Sequence, residues 1–199
     1  MQNWCRKTCL WSKKRTGWKF VRICWEDSKL NQNFLHKVIT EDESWVFDYD
    51  PETKRQSEEW YTKSSPRPKK ARMSRSRVKT IIVFFDSRGI VHKEFVPPRQ
   101  SVNHAFYKDV LERLRKRVQR VRRDIVDEWV LQHDNAPAHT ALSIREFLAK
   151  KIIPVLPHPP YSPDLAPCDF YLILKLKSKL KGRHFGTMEN IQKIVTEHT

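Results

Sequence analysis

The sequence predicts an α/β domain with a mixed central sheet flanked by helices, and three observations carry that prediction. Early β-type runs give way, after about residue 100, to helical patterns that alternate with short apolar runs. A length of 199 residues suits one domain, and seven Trp and ten Phe supply core material despite an apolar fraction of 39%. Proline-rich punctuation separates the late elements, as in "PPYSPDLAPCD".

The first strand lies in "FLHKVITEDESWVFDYD", entering near Val38 and leaving by Tyr49. Leu35, Val38, Ile39, Trp45, Val46 and Phe47 provide its apolar side chains, and Asp42 sits inside it between Glu41 and Glu43. Residues 63–79 follow with eight basic side chains, two prolines, four serines and no acid, a composition that predicts a loop. "VKTIIVFFDSRGIVHKEFV" then reads as a hairpin turning at Asp86-Ser87-Arg88-Gly89, with Gly89 able to take a positive φ. The helix after it is capped by Ser101 or Asn103 and carries Phe106, Val110, Leu114, Val118 and Val121 on one stripe.

"EWVLQHD" is the next strand, followed by a helix from about Ala138 to Lys150 and a short strand in "IIPVLPH". A further helix opens at Asp169, and an amphipathic piece, "TMENIQKIVTEH", lies near the C-terminus. No internal repeat is visible.

Thirty-nine Lys and Arg against 23 Asp and Glu give a formal charge of +16, which calls for a polyanionic partner. Nucleic acid is the simplest such partner, and an anionic membrane surface is the other. No apolar run of roughly 18 residues and no signal peptide are seen, so the chain reads as soluble and intracellular, without a membrane or small-molecule role. Cys5, Cys9, Cys24 and Cys168 fit neither a zinc ribbon nor a compact disulfide framework, and reduced thiols are expected.

Asp42, Asp134 and Asp169 each sit at or within an edge of regular structure beside apolar neighbours. Taken singly, Asp134 reads as a turn residue capping the next helix, and Asp169 as the cap of its own. Taken together in a strongly basic chain, three carboxylates can converge to hold two divalent cations about 3.5–4 Å apart. Hard oxygen ligands suit Mg²⁺ or Mn²⁺. Without a cation such carboxylates repel one another and titrate upward.

The blocks "ITEDESW", "HDNAPAHTA" and "YSPDLAPCDFYL" resemble the three signature blocks of mariner-type DNA transposases, in order, over residues 34–199. Thirty-four residues separate Asp134 from Asp169, matching the spacing between the second and third catalytic aspartates of that family. The resemblance implies an RNase H-like fold with the first Asp on the first strand. The second would follow the fourth strand, and the third would start a late helix. It further implies that Asp42, Asp134 and Asp169 form a metal-binding catalytic triad using two Mg²⁺ or Mn²⁺ ions. The chemistry implied is hydrolysis of a phosphodiester at a transposon end, then attack of a 3′-hydroxyl on target DNA, in the nucleus.

Around the triad, Asn135 either hydrogen-bonds a residue that holds the metal or is an ordinary turn residue. His133 and His139 either contact metal-bound water or phosphate, or serve turn and cap roles. Asp164 reads as a turn residue, and Glu43 faces away from Asp42 because adjacent strand residues point to opposite faces. The basic loop at about 50–79 falls where the family carries a clamp loop that contacts a partner subunit, implying a homodimer. Lys69, Lys70, Arg72, Arg75 and Arg77 are its candidates for DNA phosphate contact. "RPKKAR" also suits nuclear localisation. The helix bearing Arg113, Arg115, Lys116, Arg117, Arg120, Arg122 and Arg123 presents a second basic face, read as solvated surface.

Three departures from the family stand out. Residues 1–33 leave no room for the two helix-turn-helix units of the family and are read as a linker remnant or unrelated segment, so recognition of transposon ends is expected to be absent. Thr40-Glu41-Asp42-Glu43 replaces the usual Thr-Gly-Asp-Glu, and the added bulk and charge either distort the metal site or compete for its cations. The C-terminus stops within a helical pattern. A truncated genomic copy is the expected origin, and the alternative to catalysis is a non-catalytic DNA-binding or dimerisation module. A decayed product without stable function is the third reading.

Overall fold

The computed structural model describes residues 34–47, 49–51, 78–182, 190 and 193. Residues 1–33, the phosphate-contact candidates Lys69, Lys70, Arg72, Arg75 and Arg77, and nearly all of the last amphipathic piece lie outside the described residues.

A helical turn, α1 (Phe34–Lys37), leads into β1 (Val38–Phe47). The hairpin β2 (Val78–Asp86) and β3 (Gly89–Phe95) forms as expected, with Gly89 at φ +125° and the Asp86 carboxylate accepting the Arg88 N–H at 2.8 Å. β4 (Val130–Gln132) pairs in parallel with β1, whereas β1–β2 and β2–β3 are antiparallel. The sheet order is β3-β2-β1-β4, a mixed sheet with the Asp42 strand at its centre.

β4 is shorter than "EWVLQHD" suggested. His133 and Asp134 leave the ladder, because the Asp134 carboxylate takes the N–H of Ala136 at 2.9 Å and turns the chain toward a helix. The expected "IIPVLPH" strand shrinks to one parallel bridge between Leu131 and Val155. Pro154 and Pro157 flank that bridge and have no N–H to extend it.

The helix α2 (His104–Val121) is capped by Asn103, whose side chain accepts the Phe106 N–H at 2.9 Å. Its apolar stripe is broader than read, since Tyr107 and Leu111 are buried beside Phe106, Val110, Leu114 and Val118. The predicted 138–150 helix divides into α3 (Pro137–Thr140) and α4 (Leu142–Lys150), because Ala141 adopts ψ 145°, outside the helical region. A π-helical turn (Cys168–Ile173) then runs into α5 (Leu174–Leu180), so Asp169 lies within the first turn and is not its cap.

Side chains of β1 alternate between two cores. Ile39 joins Ile82, Phe84 and Leu131 against α2 and α4, while Val46 joins Ile81 and Val83 against Leu176 and Leu180 of α5. Each fully buried aliphatic side chain contributes about 1.5–3 kcal/mol relative to exposure. Helices thus cover both faces of the sheet. No helix of the described residues is long and apolar enough to cross a membrane.

Candidate functional site

The alternation of β1 decides which way each of its acids points. Asp42 shares the parity of Val46 and faces α5, whereas Glu41 and Glu43 share the parity of Ile39 and face α2. On the Asp42 side, the π-helical turn brings Asp169 within hydrogen-bonding distance of Asp42. Buried Cys168 seats that turn on the sheet, its thiol 3.9 Å from the Val83 carbonyl oxygen. Burial pushes the Asp42 carboxyl up to about 8, and the charges of Asp169 and Glu41 add to the effect. Two carboxylates in this arrangement cannot both carry charge comfortably without a cation between them.

Asp134 stands at the tip of β4 and is exposed. His139 Nδ1 lies 2.7 Å from its Oδ1, the same oxygen that accepts from Ala136. That bond to His139 is the main reason its carboxyl stays below the usual carboxylate range. Asp134 and Asp169 line one cleft of about 380 Å³ together with Asn135, His158 and Tyr161. Asp42 and Asp169 are therefore neighbours, and Asp169 shares a cleft with Asp134, but among the described residues the three aspartates do not form a group with all ligand atoms within 4.8 Å of one another.

The opposite face of β1 holds a second group of polar side chains. Tyr107 donates its hydroxyl to Glu41 Oε2 at 3.3 Å and lies 3.0 Å from His133 Nδ1. His139 Nε2 is 3.3 Å from Glu43 Oε1, and its Nδ1 is 3.9 Å from Glu41 Oε2. Burial raises Glu41 to about 7 against the opposing pull of His139. Burial acts to lower His139, yet Glu41's charge and the bonds to Asp134 and Glu43 carry it up to about 10. Burial and the neighbouring His139 cation drop His133 to about 4.

Several expectations can now be placed. Glu43 does face away from Asp42, and so does Glu41, which sends its bulk into the α2 side of the sheet rather than onto the aspartates. His133 and His139 are buried members of this polar group rather than turn or cap residues. Asn135 donates Nδ2 to the His158 carbonyl at 2.7 Å, bracing the two loops that wall the cleft. Asp164 lies exposed in a 3₁₀ turn (Pro163–Leu165), the turn role expected of it. Sequence reasoning missed Tyr107. The available signal was its position one residue after Phe106, on the flank of the helical stripe.

Comparison with known proteins gives a consistent result. A family described as Transposase (partial DDE domain) matches residues 50–127. The mariner Mos1 transposase of Drosophila mauritiana is 34% identical over 170 residues, covering 83% of this chain and 48% of that protein. The chain thus spans about half the length of this relative. Among solved structures, the Mos1 mariner paired end complex with Mn superposes with a TM-score of 0.81 at 32% identity, over 90% of this chain and 52% of that one. The catalytic domain of Mos1 mariner transposase gives a TM-score of 0.72 at 28% identity, over 90% of this chain and 76% of that one.

Proposed function

We propose, from the premise that this chain belongs to the mariner-type transposases and carries their RNase H-like DDE catalytic domain, that it performs metal-dependent cleavage and strand transfer of DNA. The carrying observation is the Asp42–Asp169 carboxylate contact beside the cleft that Asp134 shares. These donors fit hard divalent cations. All three are carboxylates, and the Asp42 carboxyl is raised to about 8 while no cation balances it. Mn stands in the name of one solved relative, and Mg²⁺ has the same preference for oxygen ligands.

Asp42, Asp134 and Asp169 would hold the ions. Bound there, a pair of such ions supplies an activated nucleophile and stabilises the leaving oxygen of an in-line phosphoryl displacement. The chain's own residues set the stage for that chemistry. His139 keeps Asp134 ionised and fixed in direction through Oδ1. Asn135 holds the 158 loop against the 135 loop, so that the cleft keeps its width for a DNA strand. Reaction begins with hydrolysis of a phosphodiester, which frees a 3′-hydroxyl. That hydroxyl then forms a bond to phosphorus in a second DNA strand and displaces its leaving oxygen.

A net charge of +16 favours DNA as the partner. Lys69, Lys70, Arg72, Arg75 and Arg77 are assigned to phosphate contact, and the loop at about 50–79 to a homodimer clamp. The same basic run supports a nuclear location. The test is nicking of supercoiled plasmid with Mn²⁺ or Mg²⁺. Nicking by the wild type that is lost in Asp134→Asn supports the proposal. Salt-sensitive DNA binding of equal strength in both proteins, with no nicking by either, would establish the non-catalytic DNA-binding module instead.

A further inference from the structure

We propose that Glu41, His133 and His139 form a second cation site, on the α2 side of β1, suited to a zinc-class divalent transition metal. One ligand atom from each residue lies within 4.8 Å of the others. The three are almost wholly enclosed, at 3%, 8% and 4% exposure. Glu41 adds an independent sign of a missing partner: its Oε1 is buried and makes no hydrogen bond. A buried carboxylate oxygen without a partner is costly, and a bound cation removes that cost.

The donor set separates this site from the aspartates. Two imidazoles and one carboxylate match the ligands preferred by Zn²⁺, Co²⁺ and Ni²⁺, whereas the all-carboxylate set favours Mg²⁺ and Mn²⁺. Outer contacts are in place as well. The Tyr107 hydroxyl lies 3.0 Å from His133 Nδ1 and 3.3 Å from Glu41 Oε2, fixing both side chains in direction. A cleft of about 410 Å³ is lined by both histidines, His133 and His139, together with Asp134, Asn135 and His158. Because the side chains of Glu41 and Asp42 point to opposite faces, the two sites lie on opposite sides of β1, and they meet only where His139 Nδ1 lies 2.7 Å from Asp134 Oδ1. The inference does not depend on the aspartates being catalytic.

The competing description is that His139 holds a proton between Asp134 and Glu43, and that this cation alone balances the acids. Metal binding has to displace that proton. The experiment is a titration of the chelator-stripped full chain with Co²⁺, followed by visible ligand-field absorption and then displacement by Zn²⁺. The expected result is a saturable low-symmetry Co²⁺ band that Zn²⁺ removes and that Asp42→Asn retains. Glu41→Gln abolishes it, and Tyr107→Phe weakens affinity roughly 10-fold. Far-UV circular dichroism checks that each variant is folded, and Glu41→Gly serves if Glu41→Gln is not. No band in the folded wild type overturns the proposal in favour of the proton-held arrangement. A band lost in Asp42→Asn but kept in Glu41→Gln assigns the binding to the aspartates and overturns it too.

Discussion

Glu41 and Asp42 are consecutive on β1 and serve opposite faces of the sheet: Glu41 meets Tyr107, at 3.3 Å, whereas Asp42 meets Asp169. This one-residue alternation puts two ionisable clusters back to back in the middle of a single strand. It also explains how the family's Gly position can carry Glu here without filling the space between the aspartates.

The first prediction concerns pH. The Asp42 carboxyl is raised from 3.8 to about 8 and Glu41 from 4.5 to about 7. Each keeps a proton in the folded chain that the unfolded chain has lost, so the penalty is absent at acid pH and grows as pH rises toward the folded values. His139, raised from 6.5 to about 10, has the same sign: its stabilisation is complete below 6.5 and gone above about 10. His133, lowered from 6.5 to about 4, acts oppositely and only as pH falls between those values. The Tm of the divalent-free protein should therefore fall by several degrees between about pH 7 and pH 9. Differential scanning calorimetry across that range checks it, and a flat profile would contradict it.

Asp42→Asn should separate stability from metal binding. Removing one of two crowded carboxylates should raise the Tm of the divalent-free protein at alkaline pH by a few degrees. The same change should erase any Tm increase that Mn²⁺ gives the wild type. Thermal melts of both proteins, with and without Mn²⁺, read the two effects independently.

The hairpin is tied to α2 by a buried ion pair. The Asp86 side chain is fully enclosed, and Arg122 donates to it from Nε at 2.6 Å and from Nη2 at 3.2 Å. Arg122→Ala leaves that carboxylate only the Arg88 N–H and, at 3.9 Å, the Arg88 guanidinium, and should cost about 1–3 kcal/mol in urea unfolding. Arg88 pairs with exposed Asp124 at 2.9 Å and only distantly, at 3.9 Å, with Asp86, so Arg88→Ala should cost less than about 1 kcal/mol. Equal losses in the two variants would sink this assignment.

Asn103→Ala removes the side-chain acceptor for the Phe106 N–H at the start of α2. A loss of about 1 kcal/mol is expected in denaturant unfolding. Mn²⁺ affinity should not change, since Asn103 lies in neither cluster.

Much of the fold was legible because it depended on local pattern. The alternation in β1, the Gly89 turn and the Asn103 cap each leave a signature within a few residues. The spacing of 34 residues singled out Asp134 and Asp169 before any geometry was known, and the two line one cleft. What escaped the sequence depended on tertiary context. The shortness of β4 follows from the Asp134 turn, the break at Ala141 from a ψ angle that no residue type there demands, and the seat of Asp169 from a π-helical turn. The group of Glu41, Tyr107, His133 and His139 assembles from β1, α2, α3 and the segment after β4, and although His133 and His139 were noticed in the sequence, nothing local joined them to Glu41 and Tyr107.

Asp42, Asp134 and Asp169 are proposed to hold divalent cations as one site. Isothermal titration of Mn²⁺ into the full chain, beside Asp134→Asn and Asp169→Asn, tests it most directly. Saturable binding is expected in the wild type, and its loss or strong weakening in both variants while their circular dichroism stays native. Binding of equal strength in all three proteins, or none in the folded wild type with or without DNA, would contradict it.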